Sequence, residues 1–240
     1  MAGIMAGTRV AADVAVDGAE SADGARPLVI ELYTSQGCSS CPPADAFLGE
    51  LAERPDVLAL AFHVDYWDGL GWPDRFELPI AAQRQARYVR RLRLPSAYTP
   101  QMVVDGRNDV AGFDRRGVSQ WLGTPHRGVP VQLSVTAGML IIRVAAAPGS
   151  PVGDVLLLPY LRRADTPIGR GENAGRRLRE FNVVRGLYPV GRWHGAAAEW
   201  RVSLSALPAD AGDVAVLVQE PEAGPMIGAA RLDLSGEPRP

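Results

Sequence analysis

Read as a pattern of apolar and polar positions, the chain changes character twice. Residues Met1 to Arg26 show no period and are rich in Ala, Gly and Asp, which predicts a poorly ordered tail. From Pro27 the pattern sharpens. Leu28–Tyr33 is a short apolar run broken by one acid, Glu31, and predicts a buried strand. Ala44, Phe47, Leu48 and Leu51 then fall at i, i+3, i+4 and i+7, one face of a helix. Pro42 and Pro43 fit its first turn, where a missing N–H leaves no intrahelical bond unmade. Val57–Val64 predicts a second strand. Pro79–Leu92 predicts a second helix, with Ala81, Tyr88 and Leu92 on one face and Arg84, Arg87 and Arg91 on another. Met102–Val104, the tight turn Asp105-Gly106 and Val110–Ala111 predict a hairpin, and Asp114–Leu122 a closing helix.

After about Pro125 the helical period stops. Val131–Val135, Leu140–Ala145, Val155–Leu161, Phe181–Val190, Trp200–Leu204, Val214–Gln219 and Met226–Leu232 read as strands separated by turn signals. The expected architecture is an α/β unit over residues 27–125 followed by an all-β, sandwich-like unit over 126–240, joined near Thr124–Gly128.

Composition narrows the function. With 47% apolar and 22% charged residues, the 240-residue chain can build a core. A formal net charge of −2 gives no global field that would draw in nucleic acid or a membrane surface. All 25 basic residues are Arg, which reads as coding bias. Apolar runs such as Val155–Leu158 fall far short of the ~18 residues that cross a bilayer as a helix. The N-terminus lacks the basic start and continuous apolar stretch of a secretory signal. The encoded chain therefore reads as cytoplasmic, or periplasmic if the true start lies elsewhere.

The cysteines carry most of the chemistry. There are two, Cys38 and Cys41, in a single C-x-x-C. A disulfide across so short a loop is a poor staple, and no second pair completes a four-thiolate zinc site. A strand, a loop, a C-x-x-C and a helix place the thiols at a helix N-terminus, whose unpaired N–H groups and dipole favour thiolate. Cys38, on the solvent side, is the expected attacking sulfur. Cys41, one turn in, is the expected resolving sulfur.

The order C-x-x-C, strand, helix, Thr99-Pro100, strand, Asp-Gly, helix resembles thioredoxin over residues 27–123. That resemblance implies a cis proline at Pro100, with Thr99 and Pro100 shaping an edge that docks an extended substrate. It also implies a buried acid that takes the resolving thiol's proton. Glu31 is the nearest candidate, offset by about one residue, and is either that base or an ordinary strand-end carboxylate in solvent. Two departures from thioredoxin stand out: Ser39-Ser40 lies between the cysteines, and no Trp precedes Cys38. More specifically, Glu31-Leu-Tyr-Thr-Ser-Gln-Gly-Cys38-Ser-Ser-Cys41-Pro-Pro-Ala-Asp45 resembles the signature of an uncharacterised bacterial family, domain of unknown function 1223, assigned to the thioredoxin-like superfamily. His63-Val-Asp-Tyr-Trp67, Tyr98-Thr-Pro-Gln101, Gly171-Glu-Asn-Ala-Gly-Arg176 and Asn182-Val-Val-Arg185 also match its pattern. The resemblance implies a thioredoxin-like domain with an appended β-rich domain.

Weaker signals surround this site. Tyr66, Trp67 and Trp72 follow the second strand and either wall the cysteines or pack their own loop. His63 reads as a structural histidine, with a third soft-metal ligand beside Cys38 and Cys41 as the alternative. Gly169-Arg-Gly171-Glu-Asn-Ala-Gly175 lacks the βαβ frame of a dinucleotide loop and reads as a hairpin or contact loop. Arg162–Arg192 holds eight Arg against three acids and reads as a solvated surface. The expected function is a thiol–disulfide oxidoreductase with Cys38, Cys41 and Glu31 in the catalytic set. Thr99, Pro100, Tyr66 and Trp67 would contact substrate. No metal or organic cofactor is implied, and the expected partners are a protein or small-molecule thiol or disulfide and a redox partner protein. A soft-metal carrier and a non-catalytic binding module are the alternatives.

Overall fold

Alternation sorts the first strand before any contact is considered: Leu28, Ile30 and Leu32 must face one way, and Val29, Glu31 and Tyr33 the other. The computed structural model, which describes residues 24–234, follows that division. Most of the tail expected over residues 1–26 lies outside the described residues. Its last two residues form a short strand, β1 (Ala25–Arg26). Next come β2 (Leu28–Thr34), α1 (Pro42–Ala52), β3 (Val57–His63), α2 (Pro79–Leu92), β4 (Gln101–Val104), β5 (Asn108–Ala111) and α3 (Arg115–Ser119). The remainder is β6 (His126–Arg127), β7 (Val131–Thr136), β8 (Met139–Val144), β9 (Gly153–Pro167), β10 (Arg177–Val184), β11 (Tyr188–Trp193), β12 (Ala198–Ser203), β13 (Asp213–Gln219) and β14 (Met226–Asp233).

Nine strands form one mixed sheet in the order β14-β13-β9-β10-β3-β2-β4-β5, with β11 paired to β9 beyond the end of β10. β3 runs parallel to both β2 and β10, and the other pairings are antiparallel. The strand expected over Phe181–Val190 is two strands laid end to end along β9, with Val184 opposite Tyr160 and Tyr188 opposite Leu157. Three residues, Asp105, Gly106 and Arg107, join β4 to β5, with Asp105 and Gly106 at positive φ, 56° and 67°, and Arg107 N–H donating to Val104 O at 3.0 Å.

The expected sandwich is met only in part. Two β-layers do face each other, but one of them is the continuation of the sheet that holds β2–β5. The other is a three-stranded sheet, β12-β8-β7. Its Leu140, Ile142 and Val202 pack on Val155, Leu157, Val214 and Val216 of β9 and β13. α1 covers the same face further along, burying Ala44, Phe47, Leu48 and Leu51 against Ile30, Leu32, Ala59 and Ala61. Gly49 lets it approach β10 closely, because a Cβ there would come within 2.5 Å of the Phe181 ring. α2 covers the opposite face. Its core runs unbroken from Val29, Leu60 and Tyr88 to Leu158, Tyr160 and Leu217, so residues from both halves of the sequence share it. Among the described residues no helix is long and apolar enough to cross a membrane.

Candidate functional site

The chain leaves β2 at Thr34 and makes two consecutive turns before entering α1. Cys38 N–H donates to Ser35 O at 3.1 Å and Cys41 N–H to Cys38 O at 3.2 Å. Cys41 caps the helix through its carbonyl, which accepts from Ala44 N–H and Asp45 N–H at 2.8 and 3.1 Å, while Pro42 and Pro43 occupy the first turn. Cys38 and Cys41 are joined by a disulfide with their Cα atoms 5.4 Å apart. Both are completely buried, so Cys38 is not on the solvent side of the motif; the exposed residues there are Ser39 and Ser40.

The cover comes from the β9–β10 connection. Asn173, itself fully buried, donates from one side-chain amide to Gln36 O and to Cys38 O, each at 2.9 Å. Glu172 accepts from Ser39 N–H at 3.2 Å. The Gly169–Gly175 motif is thus a contact loop between the two halves of the sequence. Its glycines meet Trp72: a Cβ on Gly171 would lie 3.1 Å from that residue's Cβ. Trp72 in turn donates to Gln36 Oε1 at 3.0 Å.

Three of the four expected substrate residues, Trp67, Thr99 and Pro100, come together beside the cysteine turn, and Tyr66 reaches toward α2 instead. Trp67 Nε1 donates to Thr99 Oγ1 at 2.8 Å, and the Trp67 Cβ would be 3.1 Å from a Cβ on Gly37. The Thr99–Pro100 peptide is cis. Pro100 faces α1 across Gly112, where a Cβ would meet Pro100 Cβ at 2.7 Å and Ala44 Cβ at 3.0 Å. Tyr66 is 46% exposed and reaches Gln85 Oε1 through its hydroxyl at 3.2 Å.

Glu31 is not brought to the cysteines. It is fully buried, but alternation along β2 puts it on the α2 face, away from α1. There Arg84 clamps it with Nε–Oε2 at 2.6 Å and Nη2–Oε1 at 2.9 Å, and Tyr33 and Tyr88 donate their hydroxyls to it at 3.0 and 2.7 Å. Burial, reinforced by the Glu31 charge, pushes both phenols well above their ordinary range, so they stay neutral donors. Arg84 also donates to Gln219 Oε1 at 2.7 Å. It is 3% exposed and lies with Ala81 and Tyr88 on the buried face of α2, whereas Arg87 and Arg91, expected to share its face, are exposed.

The acid on the cysteine side is Asp45, one turn beyond Cys41 and 6% exposed. Thr34 Oγ1 donates to it at 2.7 Å. Burial pushes its carboxyl from 3.8 up to about 7, with His63 pulling the other way. His63 Nδ1 lies 2.7 Å from Asp74 Oδ2, which also accepts from Gln36 N–H at 2.7 Å. Burial alone would lower the imidazolium's pKa, but Asp74, Glu180 and Asp45 more than offset it and hold it raised. Glu180, raised by burial, accepts from Gln36 Nε2 at 2.6 Å and from Thr166 at 3.0 Å. Gln36, two residues before Cys38, therefore joins this acidic cluster to the cysteine turn. Asp45 was legible only as the residue four places after Cys41 on the same helical stripe. Among the described residues no three His, Cys, Asp or Glu side chains are grouped as a metal ion would require.

Comparison with known proteins places the chain. No curated protein matches it. Among solved structures, the crystal structure of a protein from Agrobacterium tumefaciens superposes with a TM-score of 0.77 at 30% sequence identity, covering 89% of this chain and 97% of that one. The family model described as protein of unknown function, DUF1223, matches residues 29–219. With the cysteine turn, the Thr99-Pro100 edge and most of the covering sheet inside that span, this chain belongs to the DUF1223 family.

Proposed function

We propose that this protein is a thiol–disulfide oxidoreductase of thioredoxin-like type, with Cys38 and Cys41 as its redox pair. The observation that carries the reading is a disulfide closed across the turn that leads into α1, with a proton-labile carboxyl, Asp45, in the first turn of the helix. In the reducing direction a substrate thiolate attacks Cys38 Sγ. A mixed disulfide forms, the Cys38–Cys41 bond breaks, and its electron pair leaves on Cys41 Sγ, which takes a proton. A second substrate thiolate attacks the substrate sulfur of the mixed disulfide, releasing oxidised substrate and the Cys38 thiolate. Two substrate thiols are oxidised and one protein disulfide is reduced. The reverse sequence passes the pair to a substrate disulfide, with Cys41 attacking Cys38 to release it.

Three features support these roles. The N-terminus of α1 stabilises negative charge developing on sulfur. Asp45, with a pKa of about 7, exchanges protons near neutral pH where an ordinary carboxylate cannot. The Trp67–Thr99–Pro100 edge flanks the cysteine turn, and among the described residues neither the Thr99 N–H nor its C=O has a main-chain partner, leaving both to pair with an extended substrate.

The test is a titration of metal-free protein against glutathione buffers, read by thiol alkylation and mass. A reversible two-electron transition of the Cys38–Cys41 couple is expected. A pair that stays oxidised or stays reduced throughout would overturn the proposal.

A further inference from the structure

The Gly169–Gly175 motif has no part in the exchange steps, yet it is tied to the main chain on both sides of Cys38, the residue that must be attacked. Its conformation is fixed from within. Gly175 N–H donates to Ile168 O at 2.8 Å, Ile168 N–H to Arg176 O at 2.9 Å, and Arg176 Nη1 to Asn173 Oδ1 at 3.0 Å. This hairpin tip presents the Asn173 amide, whose two hydrogens reach the carbonyls of Gln36 and Cys38 on either side of the turn that exposes or hides Cys38 Sγ. The rest of the tip is held lightly. Gly169, Arg170, Gly171, Glu172, Ala174 and Gly175 are all exposed, and Ile168 at the base of the tip is the loop's one buried apolar side chain. Two shallow depressions, of about 300 and 320 Å³, lie elsewhere: one is lined in part by Arg127, Ser150 and Ile227, the other by Arg26, Asp56 and His126.

We propose that the Ile168–Arg176 loop is a gate on Cys38 and that Asn173 is its latch, so that Asn173 determines which thiols reach the disulfide. This inference rests on the exchange chemistry above and deepens it. With the latch closed Cys38 is completely buried, so a thiolate reaches its Sγ only once the turn is uncovered. With it open, the two carbonyls and the sulfur become accessible together. A polar, solvent-facing loop tied by a few hydrogen bonds belongs to the low-stability end of a structure, where local opening precedes global unfolding. The gate therefore sets a reaction rate without setting the stability of the fold. A partner docking on the Trp67–Thr99–Pro100 edge gains access by competing for the same two carbonyls.

The measurement is the rate of Cys38–Cys41 reduction by dithiothreitol in the full chain, quenched by alkylation and followed by mass, for wild type, Asn173→Ala, Asn173→Asp and Glu172→Gln. Loss of two hydrogen bonds from the closed state predicts about a tenfold faster reduction in Asn173→Ala. Asn173→Asp, which keeps the size but sets carboxylate oxygens against two carbonyl oxygens, is expected to be faster still. Glu172→Gln, which alters only an exposed contact, is expected to gain about twofold, the scale of a surface interaction, and keeps the test available if an Asn173 variant does not fold. Rates equal to wild type in every variant that folds would overturn the gate. So would a wild-type rate that climbs with urea as steeply as global unfolding does, since reduction would then need the whole fold to open. A wild-type disulfide that fails to re-form from oxidised glutathione would instead defeat the exchange reading, and the rate comparison would still judge the gate.

Discussion

The molecule buries one group of charged side chains under α2 and another at the strand ends beside the cysteine turn, and they are built on opposite principles. On the α2 face, Glu31 and Arg84 meet as one acid and one base in a two-point clamp, and two tyrosines and Gln219 engage the atoms that remain. Beside the cysteine turn, Asp45, Asp74 and Glu180 surround a single basic group, His63, whose Nε2 is buried without a hydrogen-bond partner among the described residues. The first group pairs one acid with one base. In the second, three acids share one base, and burial raises the carboxyl of Asp45 to about 7 and that of Glu180 above its ordinary value. Burial of charge is thus not itself a mark of function.

Cys38→Ser sharpens this contrast most. It should abolish exchange with glutathione while leaving the thermal transition close to wild type, because so short a disulfide loop constrains the unfolded chain little. Cys41→Ser should instead accumulate a mixed disulfide on Cys38, visible as a mass increment. Glu31→Gln should act in the opposite sense. It leaves the Arg84 guanidinium buried without its counter-charge and should cost about 3–5 kcal/mol in urea denaturation. Exchange by the folded fraction should be unchanged, and an exchange defect that outlasts correction for folding would return Glu31 to the catalytic set.

Asp45→Asn is the next largest effect, and its signature is in pH. Below about 4 the carboxyl is protonated in both folded and unfolded chains. Between about 4 and about 7 the unfolded chain releases that proton while the folded chain keeps it, so stability falls as pH rises and then levels off. Asp45→Asn should remove that decline, measured as urea midpoints from pH 4 to pH 8, and should flatten the pH profile of exchange near neutrality. The smallest effect belongs to Tyr66→Phe, which loses one half-exposed hydrogen bond to Gln85. About 1 kcal/mol or less is expected in stability, with any larger change appearing in substrate KM rather than kcat.

Local pattern carried much of the fold. The buried stripe of α1, the prolines in its first turn, the Asp105-Gly106 hairpin and the cysteine turn all follow from residues within a few positions of one another. The sheet's continuity does not. β10 joins β3 through a single bridging pair, Val183 with Ala61, and a pairing so distant and so short leaves no periodic trace in either strand. Glu31 shows a signal that was present but needed its partner. Alternation alone separates it from Leu28, Ile30 and Leu32, the residues that face α1, but only Arg84, which reads as a solvated arginine, explains why an acid tolerates that place. Asp45 reads as an ordinary first-turn acid because its burial depends on Thr34 and on strands that the helix pattern does not encode. Asn173 sits in a glycine-rich stretch whose purpose becomes visible only when two carbonyls 135 and 137 residues away are placed against it.

That separation has a consequence in time. A ribosome adds roughly 5–20 residues per second, so the cysteine turn precedes its cover by about 7–27 seconds of synthesis. During that interval the nascent chain carries both thiols with no loop above them, open to any oxidant or thiol nearby. Whichever state the pair reaches then is the one that Asn173 closes over when the second half of the chain arrives.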